Sequence, residues 1–362
     1  MPTHRRTRLL ALGLATMLVA AACGGSSDSS ADDSSGDDPT TTTAPTALTA
    51  AAPGEVAEAD PVPSGGCGSS VIGTVSDEQT YLDDSDRSFQ LWTPPEHDGD
   101  TPVPIVFDFH GLAEGANVHT MMTELGEYGA ANGFAVVFPQ GLGAPARWEI
   151  GLTDNSDLDY VDQMLDQIEA TTCIDTSRVY ATGLSNGAFL SSVLACTRSD
   201  RFTAVAPVAG LLHPSDCDPT RPVPVLAFHG TDDEILLFNG GVGDKLGEVL
   251  GEAGQDTEVP TEVADADLDG EGYPAAAQAW ADQNGCDPEP TDEDLTDTVV
   301  DRTWDCPADG PVEFLIVEGG GHTWPGSEFS QNLVEVMGTT DTSIDANELI
   351  WAFFQRFALP QT

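Results

Sequence analysis

The stretch Gly183-Leu184-Ser185-Asn186-Gly187 sets a hydroxyl between two glycines, a spacing that suits a serine acting as a nucleophile. Small residues on both sides permit a turn sharp enough to lift the side chain clear of a sheet edge. The flanks agree. Val179 to Thr182 is a short β-branched and aromatic run and Ala188 to Cys196 is apolar at helical spacing, so the order is strand, tight turn, helix. Ser185 is the candidate nucleophile. In a chain with 37 glycines the same five residues also describe an ordinary turn with a capping serine, so the choice rests on partners elsewhere.

A serine hydroxyl needs a base, and the base needs a group to orient it. Of the seven histidines, His322 follows the apolar run Val312 to Val317 and the glycines 319 to 321. That loop is free enough to bring an imidazole over Ser185, which makes His322 the candidate general base and, later, the acid that protonates a leaving alcohol. His97, His119 and His213 lack a strand-end setting, and His110 and His229 each occur as Phe-His-Gly, where the ring braces a turn. The orienting carboxylate is Asp232 or Asp233, just past the run Val223 to Phe228; either can hold an imidazole in one tautomer. The developing oxyanion would be received by the backbone N–H of Asn186 and by an N–H of the His110-Gly111-Leu112 loop, that of Leu112. Trp148, Trp324 and Phe238 could line an acyl or sugar pocket; core packing is the default for any one of them, and Trp324, two residues from His322, is the one favoured for the pocket.

These groups need a scaffold. Val103 to Phe109 and Phe134 to Phe138 are continuous apolar runs of the kind buried on both faces of a sheet, and Phe202 to Val208, Val223 to Phe228 and Val312 to Val317 add three more. Val71 to Val75 and Arg87 to Thr93 read as early antiparallel strands. Helices are expected near Val118 to Asn132, over Asp157 to Ala170 with Ser156 as its cap, after the elbow, near Tyr273 to Asn284 and over Ala346 to Phe357. Alternation of this kind implies an α/β fold, a mostly parallel central sheet flanked by helices, with reactive loops beyond the carboxyl ends of its strands. The chain order Ser185, Asp, His322 is that of the α/β-hydrolase arrangement.

The first 66 of 362 residues stand apart. Arg5, Arg6 and Arg8 precede the apolar run Leu9 to Ala22, so 1–22 reads as an export signal, too short to span a bilayer. Cys23 follows Ala20-Ala21-Ala22 and resembles the acylated cysteine of a bacterial lipobox, with Ala20 where Leu or Val is more usual; a plain secretory cut without lipid is the alternative. Residues 23–66 are poor in large apolar side chains, the signature of a disordered linker, and 67–362 form the catalytic domain. A net charge of −49 with one lysine, Lys245, excludes nucleic acid as a partner, and the membrane is reached only through the lipid on Cys23. The six cysteines after Cys23 imply three disulfides, Cys286 with Cys306 and Cys196 with Cys217 among them. Asp265-x-Asp267-x-Asp269-Gly270 copies half of an EF-hand loop, but Ala276 occupies the position that needs a bidentate glutamate. A solvated acidic loop is the preferred reading, and neither a metal nor an organic cofactor is expected.

Several uncommon motifs occur in one order: Phe109-His110-Gly111, Arg178-Val179-Tyr180-Ala181-Thr182-Gly183-Leu184-Ser185-Asn186-Gly187-Ala188, His229-Gly230-Thr231-Asp232-Asp233, Asn284-Gly285-Cys286, Gly320-Gly321-His322-Thr323-Trp324-Pro325-Gly326 and Ile350-Trp351-Ala352-Phe353-Phe354. Across 67–362 the chain resembles the secreted polyhydroxybutyrate depolymerase and feruloyl or acetylxylan esterase family of α/β hydrolases (carbohydrate esterase family 1-like). The resemblance implies a Ser185, Asp233 and His322 triad, its H-G-x-x-D pattern falling on Asp233 rather than Asp232. It also implies a secreted serine esterase acting on polyhydroxyalkanoate, feruloyl or acetyl esters. The segment Arg147 to Gly151 is shorter than in many relatives, and Leu112 stands where they often carry Cys. The other readings are a serine peptidase on the same scaffold and a non-catalytic surface lipoprotein that uses the fold for binding.

Overall fold

The computed structural model describes residues 49–50, 52–68, 79–83, 85–246 and 266–360. The stretch read as an export signal, Cys23 and the strand expected at Val71 to Val75 lie outside the described residues. Ten strands form the main sheet: β1 (Gln79–Tyr81), β2 (Ser88–Trp92), β3 (Val103–Phe109), β4 (Ala135–Pro139), β5 (Ile174–Leu184), β6 (Ala204–Val208), β7 (Val225–Gly230), β8 (Thr291–Asp294), β9 (Val299–Thr303) and β10 (Val312–Val317). Their spatial order is β8-β9-β10-β7-β6-β5-β3-β4-β2-β1. From β4 through β10 neighbours run parallel. The antiparallel pairs β1–β2 at one end and β8–β9 at the other close the edges. The edge hairpin β8–β9 is the acidic excursion between Cys286 and Cys306, which are bonded to each other.

Alternation along each strand divides the core between the two faces. Ile105, Phe107 and Phe109 of β3 join α3 (Ser156–Thr171), α4 (Asn186–Thr197) and α5 (Tyr273–Asn284) on one face. Val106 points to the other, with α1 (Ala116–Thr123), α2 (Leu125–Asn132) and α6 (Ala346–Phe354). Because both faces are covered, the strands read as continuous apolar runs.

The structure corrects four local expectations. The single helix foreseen over Val118 to Asn132 is two, broken at Glu124, which adopts φ 51°. Thr123 explains the break: its hydroxyl donates to Asp108 at 2.8 Å and accepts the Leu125 N–H at 3.3 Å, so the chain restarts there. The cap of α3 is Asn155, whose Oδ1 accepts from Asp157 N and Leu158 N, while Ser156 turns its N–H and hydroxyl to Glu149. Helix α6 stops at Phe354 because Phe357–Ala358 pairs with Thr49–Ala50.

The fourth correction concerns the tether, whose end at residue 66 is too late. Residues 52–66 lie along the start of β5: Ser64 Oγ donates to Thr172 O, Val62 N to Asp175 Oδ1, and Arg178 to the carbonyls of Ala57 and Ala59. A disulfide from Cys67 to Cys173 fastens the end of this strap, and Cys196–Cys217 is the third. Composition reports apolar side chains, whereas this strap is held by backbone groups bonded to a buried Asp175–Arg178 pair.

Candidate active site

Strand β5 delivers Ser185 and α4 begins at Asn186. Ser185 holds φ 58° and ψ −117°, a conformation that costs a non-glycine residue about 1–3 kcal/mol and recurs at functional turns. Its N–H donates to Val208 O at 2.9 Å and its carbonyl accepts from Phe189 N. The flanking glycines are required by close approach. A Cβ on Gly187 would lie 1.9 Å from Phe109 O, and one on Gly183 2.5 Å from the same oxygen. Gly187→Ala is therefore expected to force β3 and α4 apart, destabilising the fold by more than about 3 kcal/mol. A thermal unfolding midpoint within a degree or two of wild type would refute that packing.

The carboxylate lies past β7. Asp233 is fully buried; its Oδ1 accepts from Ile235 N and Leu236 N, each at 2.8 Å, and its Oδ2 from His322 Nδ1 at 2.7 Å. Burial pushes its pKa up, but His322, His229 and the Leu236 N–H outweigh it and hold the carboxyl below the usual range. Asp232, one residue away, is exposed. His229 stacks on Tyr273 with ring centres 3.6 Å apart and donates from Nε2 to Leu236 O at 2.9 Å, 3.3 Å from Asp233 Oδ2. Burial lowers its pKa to about 4, so it serves as a neutral brace for the Asp233 turn.

His322 is carried by the loop after β10, its N–H donating to Met337 O and that of Gly321 to Thr339 O. The parallel register aligns Leu184 with Val208, Val208 with Phe228, and Gly230 with Val317. Ser185, Asp233 and His322 thus leave the sheet together at the carboxyl ends of its parallel strands. The Asp233–His322 half of the arrangement is closed, whereas no hydrogen bond joins Ser185 Oγ to His322 among the described residues. Contacts of that kind are often long before substrate arrives.

Beside the serine runs the 110–114 loop. A Cβ on Gly111 would sit 3.6 Å from Ser185 Cβ. His110, its pKa lowered to about 4 by burial, is neutral; Nδ1 donates to Gly111 O and Nε2 accepts from Gly141 N. Ala113 takes φ 67° and donates to Ala146 O. The Asn186 side chain clasps the Trp148 backbone at 2.7 and 3.2 Å, and the Asn186 N–H is one of the orphan donors of the first helical turn. Gly111, by contrast, donates its N–H to Glu114 Oε2, which leaves Leu112 as the loop's candidate donor.

The aromatic expectations need correction. Trp148 is 3% exposed and Trp324 1%. Their indole N–H groups are spent on His110 O and Asn347 Oδ1, so both brace loops from below and present no face to a ligand. Phe238 is core, which is the default reading for it. In the acidic loop Asp265 lies outside the described residues and Asp269 pairs with Arg302 at 3.2 Å. Among the described residues no group of three His, Cys, Asp or Glu side chains is placed to hold a metal, and no helix is long and apolar enough to cross a membrane.

His119 lacks a strand-end setting in the sequence, yet it lies fully buried between two carboxylates, Asp108 and Glu114. The one available signal was an acid inside the otherwise apolar run of β3 with a second acid and the histidine six and eleven residues on.

No family model matches the chain. Among curated proteins it is similar to "Feruloyl esterase B" of Piromyces equi, 26% identical over 238 residues, which are 63% of this chain and 41% of that one. It is also similar to "Probable feruloyl esterase C" of Aspergillus clavatus, 32% identical over 202 residues, 54% of this chain and 70% of that one. The chain thus spans under half of the Piromyces relative's length. Among solved structures an acetyl xylan esterase from Aspergillus awamori aligns with a TM-score of 0.48 and 17% identity, covering 72% of this chain and 98% of that one.

Proposed function

The chain belongs to the feruloyl esterase family, and from that premise we propose that it is a serine hydrolase of carboxylic esters working through an acyl-enzyme. The observation that carries the reading is the 2.7 Å bond from His322 Nδ1 to the buried, ionised Asp233, at the carboxyl ends of the strands where Ser185 stands on its strained elbow. Ser185 Oγ attacks the ester carbonyl carbon while His322 Nε2 takes its proton. The N–H groups of Asn186 and Leu112 receive the oxyanion. As the tetrahedral species collapses, the C–O bond to the alcohol breaks and His322 protonates the leaving oxygen. Water, deprotonated by His322, then attacks the acyl carbon; the acyl–Oγ bond breaks, and His322 returns the proton to Ser185 Oγ as the acid leaves.

The substrates are feruloyl or acetyl esters of polysaccharide, or 3-hydroxybutyrate polyesters; the similarity to feruloyl esterases favours the feruloyl group. The protein works outside the cytoplasm, held at the membrane surface by acyl chains on Cys23. Three disulfides suit an oxidising compartment. A panel of feruloyl, acetyl and 3-hydroxybutyrate esters beside a peptide amide tests the reading. Turnover of the feruloyl ester with no cleavage of the amide is expected; amide cleavage with all three esters untouched would replace the esterase by a peptidase.

A further inference from the structure

The loop that offers Leu112 is anchored by a chain of charges, Asp108 and His119 fully buried and Glu114 largely so. Asp108 lies near the end of β3, with Oδ2 bound by Thr123 Oγ1 at 2.8 Å. His119 in α1 donates from Nε2 to Asp108 Oδ1 at 2.7 Å and from Nδ1 to Glu114 Oε1 at 3.0 Å. Glu114 Oε2 accepts the Gly111 N–H at 2.6 Å. An imidazole that donates from both nitrogens is a cation. Burial works against that charge, but Asp108 and Glu114 overcome it and raise the pKa to about 10. Burial likewise opposes the charge on Glu114, and His119 and the Gly111 N–H hold its pKa below the ordinary value.

We propose that Asp108, His119 and Glu114 are positioning residues for catalysis, a relay that grips Gly111 by its amide and so aims the Leu112 N–H at the oxyanion beside Ser185. The proposal rests on the serine-esterase reading above. Two features give the relay a direction. Gly111 lies against Ser185, so its displacement is felt at the reacting carbon. Ala113 is pinned on the far side by Ala146 O, which leaves Leu112 held between two fixed neighbours. Withdrawing these charged groups from water, two of them wholly, costs solvation that an apolar filling would not; what the cluster adds is a fixed backbone.

The chemistry of Glu114 supplies the test. Its two oxygens accept from two donors at once, and a carboxylate can do this where an amide of the same shape must turn an NH₂ toward one of them. Glu114→Gln should therefore lower kcat for 4-nitrophenyl acetate by about ten- to a hundredfold, short of the hundred- to thousandfold typical for deleting an oxyanion donor. KM should stay within about twofold, since the lost interaction belongs to the transition state. A boronic acid that mimics the tetrahedral state should weaken by the same factor as kcat. Glu114→Ala should lose as much as Gln; if it does not fold, the isosteric Gln variant carries the test. Wild-type kcat in Glu114→Gln, or a loss confined to KM, overturns the relay. Fluorophosphonate labelling of the wild-type protein separates the two levels: with no label on Ser185 the esterase reading itself fails, whereas a labelled wild type with a fully active Gln variant sinks only the relay.

Discussion

Ser185→Ala is expected to lower kcat for short-chain nitrophenyl esters by about a millionfold, the loss seen when a nucleophile that works as a unit with its base is removed. KM should change little, because the hydroxyl adds nothing to ground-state binding. The fold should survive. The turn is set by the contacts of Gly183 and Gly187 with Phe109 and by the Ser185 N–H to Val208 O, none of which uses the side chain. Circular dichroism melting beside the assay separates lost chemistry from lost structure. An Ala variant that melts as wild type does and still hydrolyses at a comparable rate would reduce the elbow to an ordinary turn.

Asp233→Asn should cost about 10⁴-fold in kcat, whereas Asp232→Asn should stay close to wild type. The Asn carbonyl can keep the backbone N–H groups of Ile235 and Leu236, so the turn should hold. Its amide then turns an NH₂ toward His322 Nδ1, which favours the tautomer whose proton sits on Nε2, where a base must be bare. Asp232 is exposed, and among the described residues no imidazole bonds to it. Kinetics of the two variants on one ester decide the assignment, and a larger loss at position 232 would reverse it.

Where local spacing carries the information, the sequence was legible. The apolar runs Val103–Phe109 and Val312–Val317 are strands with those bounds. The glycine spacing around Ser185 places the elbow, and Cys286 with Cys306 does bracket a hairpin. What stayed hidden depends on partners far along the chain. Trp148 and Trp324 looked like pocket walls because large aromatics near reactive residues resemble them, but each is turned inward by an acceptor, His110 O or Asn347 Oδ1. His119 looked inert because Asp108 and Glu114 converge on it only after α1 folds back over the end of β3. The strap before Cys67 looked unfolded because its ordering comes from hydrogen bonds to Asp175 and Arg178 more than 100 residues away.

By itself the amino-acid order determined the strand–turn–helix that raises Ser185, the alternation that makes a mostly parallel sheet, and the candidate chemistry of a hydroxyl, an imidazole and a carboxylate. These follow from steric limits on neighbouring residues and from hydrophobic period, both local. The motif His229-Gly230-Thr231-Asp232-Asp233 already pointed to Asp233, but only the tertiary structure decided that Trp148 and Trp324 turn inward, that the Gly111 amide is taken by Glu114, and that a buried cation stands behind the loop beside the serine. Those outcomes depend on the register between strands and on which groups lose water together, quantities that exist only once segments distant in the chain have packed.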